Sequence, residues 1–143
     1  MANAKMTVAE LEAFLHKEFP QAFGSGEVQI ESADGAMCLL RQPYSERMLR
    51  PGGTVSGPTL MALADLAMYV VLLSAIGPVG LAVTTNLNIN FLRKGQPGQD
   101  VVAAAKLMKL GKRLAVGEVI LLSGTSPDPI AHVTATYSIP DAQ

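Results

Sequence analysis

Residues 59–76 read TLMALADLAMYVVLLSAI. Ala, Leu and Met dominate the first half, and these side chains lose little rotamer freedom in a helix. Pro58 precedes the run where a first helical turn tolerates it, and Gly77-Pro78 ends it. The pattern predicts a long central helix over about residues 58–76. It has no polar face, so the helix must be buried on nearly every side. Its one charge is Asp65. In length the run approaches a membrane span. A carboxylate at the bilayer centre, however, costs about 2.5–3.5 kcal/mol. No Lys or Arg flanks the C-terminal end, and the segments that follow alternate and need an aqueous face. The expectation is a soluble core helix and no membrane partner.

Outward from that helix the periodicity changes. Leu81, Val83, Thr85, Leu87, Ile89 and Phe91 alternate with Ala82, Thr84, Asn86, Asn88 and Asn90, the period-two signature of a half-buried strand. Residues 101–110, 114–122 and 130–139 read as further strands, with turns at Lys109–Lys112 and Ser123–Pro129. Upstream, Thr7-x-x-Glu10 is a capping box opening an amphipathic helix over about residues 7–19, with Leu11, Phe14 and Leu15 on one face. Residues 25–31 and 36–42 read as a hairpin about Ala33-Asp34-Gly35. The stretch QPYSERMLRPGGTVSGP is too rich in Gly and Pro for regular structure. The order is helix, hairpin, buried helix, then four strands expected to run as a meander. A sheet that curls around the helix buries it most economically. The expected class is therefore α+β, one domain over residues 1–143, with a curved antiparallel sheet wrapped on the helix.

Composition bounds the function. The chain has 143 residues, 49% hydrophobic and 16% charged, with a net charge of −1 and a mean hydropathy of +0.30. That excludes intrinsic disorder and gives no general reason to bind nucleic acid. A single cysteine, Cys38, leaves neither an intrachain disulfide nor a cysteine metal cluster, and His16 and His132 are far apart, so no metal is expected. Acids interrupt MANAKMTVAELEAF before an apolar core of a signal peptide forms, and a cytoplasmic location is expected. Cys38 among Met37, Leu39 and Leu40 reads as packing, and His132 as a strand residue.

Two features carry chemistry. A carboxylate in an apolar helix is costly without partners or a purpose, which singles out Asp65. The approach to the helix, Gly52-Gly53-Thr54-Val55-Ser56-Gly57-Pro58, combines glycines that permit close approach with free N–H groups at a helix N-terminus, suited to an anion or developing oxyanion. Ser56 is also the natural cap. Gly57 and Asp65 are eight residues apart, roughly 12 Å along a helix. One helix cannot easily bring both to one carbonyl. Two antiparallel copies can, so a site shared across a twofold dimer is expected.

Gly53-x-x-Ser56-Gly57 with Asp65 beyond it, then TTNLNINFLRKGQPGQD and GKRLAVGEVIL, resembles the hotdog-fold acyl-CoA thioesterases of the phenylacetate-pathway PaaI type, over about residues 47–139. The resemblance implies a five- or six-stranded sheet around a central helix. It implies paired units, as a homodimer or a dimer-of-dimers tetramer, with sites at the dimer interface. The substrate would be an acyl- or aryl-CoA thioester, with coenzyme A part of the substrate and no separate cofactor. Asp65 would be the nucleophile or the base for water, the Gly57 N–H would polarise the carbonyl, and Thr84 would help orient the water, in trans to Gly57. The family usually has His, Gly and Asn where this chain has Ser56, Pro58 and Arg50. Ser56 and Arg50 thus stand in site positions, as catalytic and substrate-binding candidates, and Pro58 lacks a donor. Arg93, Lys94, Lys106, Lys109, Lys112 and Arg113 are six of the eleven basic residues. They read as one patch for the phosphates of coenzyme A, with Arg93, Lys94, Lys112 and Arg113 ranked first. Met48, Leu49, Met61, Met68 and Tyr69 are candidates for an acyl pocket, although Met at helical spacing is commonly core. The alternatives are a catalytically silent acyl-CoA-binding module and a dehydratase or hydratase; the latter normally needs a His beside the acid, and none is near Asp65 in sequence.

Overall fold

The structure, a computed structural model, describes residues 4–23 and 28–141. In chain order it has α1 (Val8–Glu18), the short α2 (Pro20–Phe23), β1 (Gln29–Ala33), β2 (Met37–Gln42), a 3-10 turn at Glu46–Met48, α3 (Gly57–Ile76), β3 (Val83–Phe91), β4 (Val101–Leu110), β5 (Leu114–Ser123) and β6 (Pro129–Ser138). The capping box of α1 forms as expected, with Thr7 and Glu10 exchanging hydrogen bonds. Pro20 both follows α1 and opens α2. The hairpin turn also forms. Asp34 Oδ1 accepts from the N–H groups of Ala36 (2.9 Å) and Met37 (2.7 Å), and Gly35 takes the positive φ of 89° the turn requires. Residues 25–27 of the expected first strand lie outside the described residues.

The six strands form one antiparallel sheet in the order β1-β2-β4-β5-β6-β3. The expected four-strand meander therefore holds only for β4-β5-β6. β3 does not pair with β4. It pairs with β6, at the far edge. The connection from Phe91 to Val101 spans residues 92–100, longer than the 2–5 residues that close a hairpin. It carries the chain back across the sheet, and β5 and β6 fill the gap.

Helix α3 lies on the concave face. By length and mean hydropathy, 2.0 over its most apolar window, it is fit to cross a membrane, but most of that window is buried inside the fold, as a core helix requires. Ala64, Ala67, Met68, Val70, Val71, Leu72 and Leu73 are sealed from solvent. The strands facing them carry small residues at key points: Ala103, Ala105 and Gly117. At Gly117 an added Cβ would lie 2.6 Å from Met68 Sδ and 2.8 Å from the Lys106 carbonyl oxygen. The sheet can curl around the helix because its inner face is low there. β5 and β6 bury alternate residues, as period two demands.

Candidate active site

Asp65 lies just over two turns into α3, half-buried at the rim of the core. Two hydroxyls reach the same oxygen of its carboxylate. Thr84 Oγ1 donates to Oδ1 at 2.6 Å, and the Tyr137 hydroxyl lies 2.8 Å from Oδ1 and 3.1 Å from the Asp65 backbone carbonyl oxygen. No side chain of the described residues hydrogen-bonds Oδ2.

Strict alternation along 81–91 puts Thr84 on the face opposite Leu87 and Ile89. The structure corrects this. The β3–β6 register shifts between Thr84 and Asn86, so Thr84 pairs with Tyr137 and Leu87 with Ala135. The extra residue, Thr85, is a bulge, and it turns Thr84 inward onto Asp65. Asn86, Asn88 and Asn90, paired with Thr136, Thr134 and His132, stay on the outer face.

Tyr137 is a participant that the sequence offered only as part of the strand over residues 130–139. It is 3% exposed and stacks on Tyr69, with ring centroids 6.0 Å apart and planes 20° apart. The Tyr69 hydroxyl donates to the Gly80 carbonyl oxygen at 3.0 Å. Burial first, then the adjacent carboxylate, pushes the Tyr137 phenol well above its ordinary range, although a hydrogen bond with Thr84 works the other way. It therefore keeps its proton at neutral pH. Beside these groups opens a cleft of about 420 Å³, walled by Phe19, Tyr69, Ala82 and Val83, with Glu18 at its edge.

The other candidates lie elsewhere. Gly57 begins α3, and an added Cβ there would sit 3.2 Å from the Phe91 ring. Its N–H is among the first-turn donors that have no acceptor within a helix. Ser56 is the cap: its Oγ accepts from the Thr59 N–H at 3.3 Å and lies 2.8 Å from Thr59 Oγ1. Arg50 is exposed on a turn closed by Gly53 N–H to Arg50 O at 3.0 Å, and Gly52 and Gly53 take φ of 104° and 85°. One chain thus brings Asp65 and Thr84 together and leaves Gly57, Ser56 and Arg50 at the other end of the helix segment.

Nor do the basic residues form one patch within a chain. Arg93 and Lys94 follow β3 and line a polar cleft of about 590 Å³ with Gln96, Gln99, Ser123 and Asp128; Arg93 Nη1 donates to the Pro129 carbonyl oxygen at 2.8 Å. Lys112 and Arg113 are on the β4–β5 turn at the opposite end of β6, where Arg113 pairs with Asp141 at 3.4 Å. The length of β3, nine residues at about 3.3 Å each, separates the two pairs.

Of the acyl-pocket candidates, Tyr69 lines the Asp65 cleft, Met48 lines a second cleft of about 320 Å³ on the flank of α3, and Met68 is sealed in the core. His132 Nε2 lies 3.0 Å from Glu118 Oε2, on the outer face. Among the described residues no group of three or more His, Cys, Asp or Glu could hold a metal ion.

Residues 52–129 match the family model of the thioesterase superfamily. The chain belongs to that superfamily, and its curved six-stranded sheet on a central helix is the hotdog fold. A Silicibacter protein described provisionally as a thioesterase is 42% identical, with 98% of this chain and 96% of that one covered and a TM-score of 0.89. The Escherichia coli PaaI protein of the phenylacetic acid degradation operon shares the fold at 20% identity, covering 91% and 95% of the two chains, with a TM-score of 0.75. A Streptococcus pneumoniae thioesterase-like protein solved with coenzyme A does so at 19% identity, covering 93% and 98%, with a TM-score of 0.77. No curated protein matches the sequence.

Proposed function

We propose that the protein hydrolyses acyl- or aryl-CoA thioesters to the free acid and coenzyme A, in the cytoplasm, at a site shared by two subunits. The observation that carries this is the Asp65 carboxylate, held on one oxygen by Thr84 and Tyr137 and open on the other beside an aromatic cleft. Asp65 takes a proton from water as the water oxygen attacks the thioester carbonyl, or attacks the carbonyl itself to form an anhydride that water then opens. The oxyanion is met by the N–H of Gly57 of the partner subunit. Collapse breaks the carbon–sulfur bond; the leaving sulfur takes the proton that Asp65 removed from water or, on the anhydride route, leaves as thiolate and is protonated by solvent.

The shared site is supported by the roughly 12 Å of helix between Gly57 and Asp65 and by β3, an edge strand with Val83 and Phe91 more than half exposed. Antiparallel pairing of two β3 edges would set Phe91 and Gly57 of one subunit by Thr84 and Asp65 of the other. The same pairing would carry Arg93 and Lys94 of one subunit toward Lys112 and Arg113 of the other, restoring one basic patch for the coenzyme A phosphates. Arg50, at the head of α3, would face the same interface.

The test is thiol release over short, medium, long and aromatic acyl-CoAs, beside Asp65→Asn. The variant is expected to stay folded and to lose on the order of 10²-fold or more in turnover, as removal of a general base does. Undiminished hydrolysis by folded Asp65→Asn would refute the role. A silent acyl-CoA-binding module is the second reading, favoured by Pro58, which offers no N–H, and by the commitment of Ser56 to capping. Binding of acyl-CoA without thiol release by the wild type would establish it.

A further inference from the structure

We infer that Tyr137 is a positioning residue for Asp65: its hydroxyl and that of Thr84 together hold Oδ1, which makes Oδ2 the oxygen that meets water or the thioester carbonyl. This rests on the proposed role of Asp65.

The terminal torsion of an aspartate is broad, so the helix backbone alone does not fix the carboxylate plane. Two donors arriving from different strands do. Thr84 on β3 and Tyr137 on β6 are direct register partners, and both reach Oδ1, at 2.6 and 2.8 Å. A carboxylate oxygen offers two lone-pair sites, and both are taken. Oδ2 is the one oxygen with acceptor capacity to spare. The phenol carries a single proton, and Oδ1 at 2.8 Å is a closer acceptor than the backbone oxygen at 3.1 Å. The tyrosine is itself held, by its stack on Tyr69 and through Tyr69 to Gly80. Thr84 is exposed in the single chain, whereas Tyr137 is buried; Tyr137 is thus the anchor that the packing of one chain already fixes.

A buried phenol needs an acceptor for structural reasons alone, so the test must separate the two roles. Tyr137→Phe keeps the ring and removes the hydroxyl. With the CoA ester that the wild type turns over fastest, kcat is expected to fall about tenfold or more, while KM changes less than about twofold. Thr84→Val should lose activity similarly and Thr84→Ser retain it. The double variant Thr84→Val/Tyr137→Phe should depart from additivity, since both hydroxyls act on one atom. Ser74→Ala, which removes a buried hydroxyl outside the cleft (it donates to the Val71 carbonyl oxygen at 2.7 Å), sets the loss due to packing. An equal kcat loss there, or a Tyr137→Phe enzyme with wild-type kcat, overturns the assignment. Those outcomes leave the thioesterase reading intact so long as Asp65→Asn is inactive. If Asp65→Asn is as active as the wild type, or the wild type releases no thiol from any acyl-CoA, both fall together.

Discussion

Asp65 is a charge in a helix built to exclude charge, and two hydroxyls from neighbouring strands compensate it. Cys38 is the contrasting case, a nucleophile put out of reach. It is 2% exposed, its thiol donates to the Ala67 carbonyl oxygen at 3.3 Å, and burial pushes it from an ordinary value near 9 up to about 12. Two outcomes follow at this scale. A thiol reagent at pH 8 should modify Cys38 only as fast as the protein unfolds, measured by reagent uptake with and without denaturant. Between pH 9 and about 12 the unfolded chain has released the thiol proton and the folded chain has not, so Cys38 lowers stability as pH rises through that window. Cys38→Ala should lose less stability than the wild type over the same range, in urea melts compared at pH 8 and pH 10.5. The roles at this scale were unequally legible. A lone acid in residues 59–76 stands out by composition. Tyr137 does not, because its partner is 72 residues away and its strand alternation describes a core residue equally well.

At the scale of elements, α3 was readable because an uninterrupted apolar run has few places to go. The sheet edge was not, because periodicity gives a strand's faces and says nothing of its neighbours. The long Gly- and Pro-containing connection over 92–100 was the available sign that β3 and β4 are not a hairpin. The bulge at Thr85 leaves no mark in the sequence either, yet it decides that Thr84 faces Asp65. Gly117 shows how the helix and sheet constrain each other. It lies across from Leu107, at the β4 bulge, and any side chain there meets Met68 and the Lys106 backbone. Met68 can shift, but the backbone oxygen cannot. Gly117→Ala is expected to destabilise the fold by about 1–3 kcal/mol, as overpacking does. A melting temperature equal to the wild type would show that the sheet flattens freely at this point.

At the scale of the whole molecule, one chain holds half of the proposed site: an acid without an oxyanion donor in reach, and a helix N-terminus without an acid. If two β3 edges pair antiparallel with Thr84 near Phe91 of the partner subunit, the twofold axis passes close to Leu87 and Asn88. Asn88 is exposed and on the outer face, so Asn88→Lys leaves the single chain's core alone and sets two ammonium groups against each other near the axis. The expected result is a shift toward monomer in sedimentation velocity, with hydrolysis lost in proportion to the dimer. Monomers with full activity would sink the shared-site geometry.

The position of β3 beside β6 also has a consequence in time. During synthesis the apolar α3 and the edge strand β3 are complete before β6, and among the described residues no other strand pairs with β3. The strand that would join two subunits therefore has no scaffold until β6 docks, and Tyr137, near the end of β6, arrives with it. A chain cut short before Pro129 lacks a seated edge, a held carboxylate and a surface for its partner at once. The edge that would pair two subunits and the acid site thus both depend on one strand, β6.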